Sequence, residues 1–184
     1  MPAFRLLALF VSATLVMPIL SEAAGFPDVP RTYLYQTQIE SLADLGVISG
    51  NPDGTFRPTD PVNRAAMLKM LYLMAKRTPA ATAKGCFPDV QQGAWYESFV
   101  CDAAANGFVK GYVDGTFKPG RPVTHAEALK MSFAVLDIAL QGDEDRSEWF
   151  LPYVDTARAL GILPLSGRAD EEFLPHEPIE RGEA

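Results

Sequence analysis

The chain repeats itself, and this repetition constrains its fold more than any other feature of the sequence. Phe26-Pro27-Asp28-Val29 recurs at 87–90, an offset of 61 residues, and the segment 46–58 recurs at 107–119 with the same offset. So many matches at one offset identify an internal repeat. A helical unit of this length cannot bury its apolar face alone, so the sequence predicts copies that pack on one another.

A third, weaker copy follows the first two. Trp149-Phe150 corresponds to Trp95-Tyr96, and the segment 180–183 corresponds to the start of the second helix in the earlier copies. The predicted organisation is a signal peptide at 1–23, a first copy at 26–80, a second copy at 87–140 and an incomplete third copy at 141–184. Because only four residues follow Glu180, the sequence predicts that the last helix is missing and that the chain is a fragment or a truncated gene product.

Each copy has the pattern of two helices joined by a loop. Tyr35 and Ile39 share one face of the first helix, which Gly46 is expected to end. The loop that follows is rich in Gly, Pro and Asp, and Asp-Gly favours a turn with positive φ. The second helices are predicted to begin at Asn63, Thr124 and Glu180. The side chains predicted to fill the core of the first copy are Met67, Met70, Leu71 and Met74. The predicted fold class is all-α.

The first residues have the pattern of a secretory signal peptide. Arg5 precedes an apolar run from 6 to 20, and Ser21-Glu22-Ala23 predicts cleavage after Ala23. A membrane anchor is the alternative, but the run is shorter than the about 20 residues of a spanning helix and Pro18 interrupts it. We therefore expect a secreted protein of the cell surface or cell wall, with no membrane partner after cleavage.

The charge of the chain excludes a nucleic-acid partner built on a basic face. The formal net charge is −7, residues 24–140 carry equal numbers of acidic and basic side chains, and the excess acid lies in 141–184. A solvated acidic surface is one interpretation of that last segment, and an acidic binding surface is the other.

Cys86 and Cys101 are the two cysteines, and both lie in the second copy. In an exported protein an isolated pair with this spacing predicts a disulfide. Two free buried thiols are the alternative interpretation.

No catalytic, metal or cofactor site is predicted. The sequence contains no Gly-x-Ser-x-Gly, no His-Glu-x-x-His and no phosphate-binding loop. A calcium loop is excluded because its first and twelfth ligand positions in the second copy hold Lys110 and Arg121. A pair of carboxylates for glycoside hydrolysis remains an open alternative, since acidic residues are plentiful.

The ordered set of motifs resembles the S-layer homology repeat. It comprises a Phe-x-Asp-Val opening, Trp before a helix, Gly-x-x-x-Gly, Asp-Gly-Thr-Phe-x-Pro and a helix start similar to Thr-Arg-Ala-Glu, and it covers residues 26–184. The resemblance implies three helix–loop–helix repeats arranged as a pseudo-threefold prism, here without the last helix. It also implies non-covalent anchoring of exported proteins to the cell wall through an anionic, for example pyruvylated, wall polysaccharide.

The resemblance also supplies candidate ligand-binding residues. Arg64 and Arg181 stand where the family has an arginine at the helix start, and His125 stands there in the second copy. A guanidinium at a helix N-terminus can bind a carboxylate with paired N–H groups, whereas histidine is charged only toward acid pH. The other candidates are Asn63, Thr124, Gly50, Gly111, Trp95 and Trp149.

Structural roles are alternatives for these candidates. An arginine can bind a neighbouring loop carbonyl or carboxylate, a glycine can serve a turn, and a tryptophan can pack in the core. The first copy is expected to hold the best preserved site, because His125 weakens the second, and Glu180 and Gly182 in the third replace the family's Thr and Ala within an acidic segment.

The predicted function is that of an exported, non-catalytic module that anchors a protein to the cell wall, mainly through Arg64. The first alternative is the anchoring part of a secreted hydrolase whose catalytic domain is absent. The second is a structural subunit of a surface layer or envelope. The sequence after Ala184 in a longer protein would separate these functions.

Overall fold

A computed structural model describes residues 25–141, 148–163 and 173–184. The described residues form five helices and no strands. The helices are α1 (Gln36–Asp44), α2 (Arg64–Met74), α3 (Glu97–Ala105), α4 (His125–Val135) and α5 (Leu151–Ala159). The all-α prediction is confirmed for this part of the chain. The predicted signal peptide at 1–23 lies outside the described residues.

Local sequence explains where the helices begin and end. The Asn63 side chain accepts a hydrogen bond from the Ala66 N–H at the start of α2, and Thr124 with Glu127 forms the capping box of α4. Gly46 follows α1 with a φ of 70°, a conformation that glycine adopts without steric cost. Both predicted second-helix starts within the first two copies are therefore confirmed.

The second helices of the first two copies form the centre of the core. α2 packs against α3 and α4, and α4 packs against α5. Leu68, Tyr72, Val100 and Val135 are almost completely buried between them. Met67 and Leu71 are buried as predicted, but Met74 is exposed, because it lies on the side of α2 that opens onto a cavity between α1, α2 and α4. The prediction that Met74 fills the core was wrong.

A ring of hydrogen bonds joins the three copies just before their second helices. The Val62 N–H donates to the Ile179 carbonyl over 3.0 Å, the Ile179 N–H to the Val123 carbonyl over 3.0 Å, and the Val123 N–H to the Val62 carbonyl over 2.8 Å. All three side chains are buried. Each copy thus contacts both others at this point, and no backbone group of the ring is left unpaired.

The disulfide and the last turn complete the framework. Cys86 and Cys101 are joined by a disulfide, which ties the segment before the second copy's Phe-Pro-Asp-Val to α3 and confirms the predicted pairing. After Glu180 the chain makes one turn, in which the Ala184 N–H donates to the Glu180 carbonyl over 3.0 Å. The described residues include no helix with the length and apolar character needed to cross a bilayer.

Candidate functional site

The Asp of the repeated Phe-Pro-Asp-Val motif fixes the loop between the two helices of its own copy. The Asp28 carboxylate accepts hydrogen bonds from the Phe56 N–H over 2.8 Å and the Arg57 N–H over 2.6 Å. Burial raises the pKa of Asp28, but these backbone hydrogen bonds outweigh it, so the pKa lies below its ordinary value. Asp89 accepts the equivalent pair in the second copy. The loop is held in the same shape in both copies.

The Phe that ends each fixed loop forms a platform for an arginine of another copy. Phe56 and Phe117 are almost completely buried, as expected for side chains that attach the loop to the core. The Arg64 guanidinium lies 4.8 Å from the Phe117 ring centre, and the Arg181 guanidinium lies 4.6 Å from that of Phe56. Both distances are within the range of a cation–π contact.

Arg64 is held by the loop and the second helix of the second copy. Its Nε donates to the Phe117 carbonyl over 3.1 Å, and its guanidinium lies 5.0 Å from the Tyr112 ring centre. An Nη atom lies 3.8 Å from the Glu127 carboxylate. Only 6% of the residue is exposed. These contacts match the alternative of an arginine bound to a neighbouring loop carbonyl.

The helix-start residues of the other two copies make the corresponding contacts. Arg181 donates from Nε to the Phe56 carbonyl over 3.0 Å and from Nη2 to the Ser49 carbonyl over 3.2 Å. In the second copy, Nδ1 of His125 lies 3.0 Å from the Glu177 carbonyl oxygen. The first copy therefore reaches the loop of the second, the second reaches that of the third, and the third reaches that of the first.

An open groove lies beside Arg64, where the first copy meets the second copy and the start of the third. Its volume is about 610 Å³, and its walls come from α4, the loop of the second copy and the start of α5. We call it the Arg64 groove. The polar and aromatic residues that line it include Arg64, Lys110, Tyr112, Glu127, Lys130, Trp149 and Tyr153, and Gly111 lines it as well. Three of the sequence candidates, from three different copies, meet here: Arg64, Gly111 and Trp149.

The groove is lined by two lysines and two aromatic rings, together with the exposed Asp137 carboxylate. Lys110 and Lys130 are exposed, and the Lys130 Nζ lies 5.0 Å from the Trp149 ring centre and 5.9 Å from that of Tyr153. Trp149 is 45% exposed, so core packing does not describe it. An exposed indole beside an ammonium group can contact both the face and the acidic group of a charged sugar.

The Glu127 carboxylate in the same groove is already paired. Arg121 donates to both of its oxygens, over 2.8 and 2.9 Å, and the Tyr112 hydroxyl donates to it over 3.2 Å. Burial raises the pKa of Glu127, but the hydrogen bonds from the Thr124 N–H and Arg121 outweigh it, so the pKa lies below its ordinary value. This carboxylate stays charged and is paired with Arg121. Lys110 and Lys130 are therefore not engaged by Glu127 and remain exposed cations of the groove.

Each of the two candidate glycines, Gly50 and Gly111, makes room for a phenylalanine of its own copy. A Cβ on Gly111 would lie 2.6 Å from the Phe87 ring and 2.9 Å from the Thr116 carbonyl oxygen, and Gly50 has the same conflict with Phe26. Neither has a positive φ, so a turn does not explain them. Glycine is required because the Phe of the Phe-Pro-Asp-Val motif packs directly on the loop backbone.

The remaining candidates lie outside the Arg64 groove or have structural contacts. Asn63 and Thr124 use their side-chain oxygens as helix caps. His125 lies on a second cavity, which runs along α1, α2 and α4. Trp95 is 54% exposed and lies 5.5 Å from the Lys69 Nζ, an arrangement that repeats the Lys130–Trp149 pair outside the Arg64 groove.

Sequence reasoning missed Lys110 and Lys130. Lys130 lies on the helix that bears the capping box, and Lys110 lies within the Gly-x-x-x-Gly segment, where the first copy has Ser49. Lys130 repeats Lys69 at the 61-residue offset, which is the one signal in the sequence that could have singled it out, and Lys110 has no lysine counterpart in the first copy. The position of both lysines on one groove follows only from the packing of the second copy beside Trp149 of the next copy.

Comparison with known proteins identifies the repeats. The family model of the S-layer homology domain matches residues 25–68, 87–129 and 142–184. The chain is 28% identical to a surface-layer 125 kDa protein of Lysinibacillus sphaericus over 180 residues, and 25% identical to S-layer protein EA1 of Bacillus anthracis over 177 residues. These alignments cover 92% and 94% of the chain, and 15% and 20% of those relatives.

A cellulosome-anchoring protein of Acetivibrio thermocellus is 27% identical over 110 residues, which cover 58% of the chain and 24% of that relative. The chain thus spans less than a quarter of the length of each of these three relatives. The resemblance found in the sequence motifs is confirmed by the three matched segments. The chain belongs to the S-layer homology domain family.

Proposed function

We propose that this chain anchors a protein to the cell wall by binding an anionic wall polysaccharide in the Arg64 groove. Membership of the S-layer homology family and the similarity to a cellulosome-anchoring protein support the anchoring role. Similarity to surface-layer proteins supports a location at the cell surface. The role is non-catalytic, because it requires only reversible contacts to the polymer.

The observation that carries the proposal is the Lys130–Trp149 pair on the wall of an open groove. A sugar ring stacked on the exposed Trp149 face would bring a ring substituent close to the Lys130 ammonium, which lies 5.0 Å from the indole centre. Lys110 adds a second exposed cation to the same groove. An anionic sugar, in particular a pyruvylated one, would thereby gain both a stacking contact and a charge contact.

Arg64 has a different role in this proposal from that of the two lysines. Its guanidinium is bound to the Phe117 carbonyl and covered by two aromatic rings, so it shapes the floor of the groove and adds positive potential to it. Lys110 and Lys130 then make the direct contacts. Gly111 lets the loop backbone pack against Phe87, and this loop forms one wall of the groove.

The other junctions hold weaker sites in this proposal. Arg181 and Gly50 lie at the junction of the third and first copies, where the Arg181 guanidinium is bound to two carbonyls. At the junction of the second and third copies, His125 replaces the arginine and Glu183 lies 3.3 Å from its Nε2. A carboxylate at that place disfavours an anionic polymer.

We also propose that the three copies form the pseudo-threefold prism of the family. The cyclic order of the helix-start contacts and the ring of hydrogen bonds among Val62, Val123 and Ile179 support this arrangement. In such a cyclic arrangement each pair of neighbouring copies forms one junction. Each junction then has one position that corresponds to the Arg64 groove.

The experiment that tests the function is co-sedimentation with cell-wall sacculi of the source organism. The protein should sediment with intact sacculi and remain in the supernatant after hydrofluoric acid has removed the wall polysaccharide. The released polysaccharide should compete for binding, and mild acid removal of its pyruvyl ketals should weaken that competition. Equal sedimentation with intact and stripped sacculi would contradict the proposal.

A further inference from the structure

The Arg64 groove continues along α4 to a further charged side chain, that of Asp137. Glu127, Lys130 and Ala134 of α4 line the groove, and Asp137 lines it just beyond the last turn of the helix. Spacings of three and four residues place these four positions on one face of α4. Asp137 follows Lys130 by about two helical turns, or about 10 Å along the axis. This wall of the groove therefore presents an ammonium group and a carboxylate at two separate places.

The Asp137 carboxylate is free to contact a ligand. The residue is exposed, and none of the ion pairs among the described residues includes it. Arg77 lies at the same end of α4, but its Nε donates to the Val135 carbonyl over 3.0 Å and its guanidinium lies 4.9 Å from the Phe108 ring centre. Glu127, by contrast, is already held in an ion pair. Of these two groove carboxylates, Asp137 is the one without a fixed cation.

The first copy has different residues at the equivalent positions. The offset of 61 pairs Ala134 with Leu73, Asp137 with Lys76 and Ile138 with Arg77. Alanine leaves more space above the helix than leucine does, and aspartate reverses the charge of lysine. Asp137 has a φ of 58° and Lys76 has a φ of 52°, so the same backbone conformation forms with a lysine. The backbone therefore does not account for the carboxylate, whereas a contact to a ligand does.

The two charges favour a ligand that carries both signs. The acidic group of one sugar can pair with the Lys130 ammonium, and a positive group on a neighbouring sugar can pair with the Asp137 carboxylate. The separation of the two charges is comparable with the length of a disaccharide unit. An amino sugar provides the positive group when its amino group is free, and it is neutral at nitrogen when that group is acetylated.

We propose that the Arg64 groove selects a zwitterionic polysaccharide, in which an amino sugar with a free ammonium group lies next to the acidic sugar. Asp137 recognises the ammonium group, while Lys130 and Trp149 hold the acidic sugar. This proposal rests on the proposed function, because it specifies the polymer that the same groove binds. An acetamido group in place of the ammonium would desolvate the Asp137 carboxylate without giving it a charged partner, and binding would weaken.

The test uses the polysaccharide released from sacculi by hydrofluoric acid, titrated into the full chain by isothermal titration calorimetry. One half is treated with acetic anhydride, which converts free amino groups to neutral acetamido groups and keeps the acidic groups. The other half is mock-treated. Peptidoglycan is removed from both samples, so an effect comes from the polysaccharide and not from amino groups of the peptide stems. We expect N-acetylation to raise the Kd at least about fivefold.

Two protein variants assign this effect to Asp137. Asp137→Asn removes the charge and keeps a residue that adopts a positive φ readily. Asp44→Asn is the matched control, because Asp44 is also exposed and lies at the end of α1, outside the groove lining. We expect Asp137→Asn to bind the mock-treated polysaccharide at least about fivefold more weakly than the unmodified chain and to be insensitive to N-acetylation. Asp44→Asn should match the unmodified chain, and all three melting temperatures should agree within about 2 °C.

Three results would overturn the proposal. The first is equal affinity of the unmodified chain for the two polysaccharide samples, and the second is unchanged affinity of Asp137→Asn. The third is a loss on N-acetylation that is as large for Asp137→Asn as for the unmodified chain, which would place the amino group elsewhere. In all three the unmodified chain still binds the polysaccharide, so the proposed function stands. A chain that binds neither sample would overturn the proposed function as well.

Discussion

The junction between the first and second copies and the junction between the second and third copies share one backbone pattern. The Arg64 N–H donates to the Arg121 carbonyl over 3.0 Å, and the His125 N–H donates to the Glu177 carbonyl over the same distance. The next residue of each helix also donates to a loop carbonyl, over 3.1 Å in both cases. The helix start therefore attaches to the neighbouring loop by main-chain hydrogen bonds that any side chain permits.

The two junctions differ in the side chain at the helix start. Arg64 fills the space between the Tyr112 and Phe117 rings with a permanent positive charge. The shorter His125 contacts the Glu177 carbonyl and the Glu183 carboxylate. The comparison shows two separate contributions at each junction. Main-chain hydrogen bonds attach one copy to the next, and the side chain at the helix start determines the local charge.

The largest effect is expected from Arg64→Ala. Loss of the buried guanidinium removes its hydrogen bond to the Phe117 carbonyl and both cation–π contacts, so we expect a loss of about 3 kcal/mol in the free energy of unfolding. His125→Ala should cost about 1 kcal/mol, because its ring is partly exposed and its contacts are fewer. Urea unfolding followed by circular dichroism measures both values. Equal losses would contradict the distinction between the junctions.

A smaller effect is expected when the second junction is given the side chain of the first. His125→Arg should let a guanidinium donate to the Glu177 carbonyl and pair with Glu183, which stabilises the fold by about 1 kcal/mol. The melting temperature should then rise by about 2–4 °C. The reverse change, Arg64→His, is the matched control and should lower it. A fall in melting temperature for His125→Arg would show that the second junction is closed to an arginine.

The smallest effect concerns pH and Glu127. Its pKa in the folded protein lies below the ordinary value, so its stabilising contribution is present above the ordinary pKa and is lost as the pH falls through the folded pKa. Glu127→Gln keeps the capping box and removes only the charge. The melting temperatures of the two proteins should differ by about 1–2 °C at pH 7, and the difference should shrink as the pH falls below the ordinary pKa of a glutamate. A constant difference from pH 7 to pH 3 would contradict a stabilising role for the ionised carboxylate.

The repeat and its caps could be predicted from the sequence because they depend on local rules. Asn63 and Thr124 have side-chain oxygens that accept from the first turn of a helix, and Gly46 adopts the positive φ that glycine favours just after the end of a helix. The disulfide could be predicted because the chain has two cysteines and the pattern of an exported protein. These features need no knowledge of the neighbouring copy.

The groove could not be predicted because it depends on which copy contacts which. The sequence gives the three copies without their order in space, so it does not reveal that Lys130 of the second copy lies beside Trp149 of the third. The same limit explains why Arg64 was expected to be available to a ligand. Its burial follows from the packing of the second copy's loop around it, 53 residues further along the chain.

The most direct test of the central claim compares two equivalent Lys–Trp pairs. Lys130 and Trp149 line the Arg64 groove, whereas Lys69 and Trp95 form the same contact outside it. The quantity to measure is the affinity for sacculi of two double variants, one with alanine at both groove positions and one with alanine at both control positions. We expect the groove variant to lose at least about tenfold and the control less than about twofold. Equal losses, or full binding by the groove variant, would contradict the account.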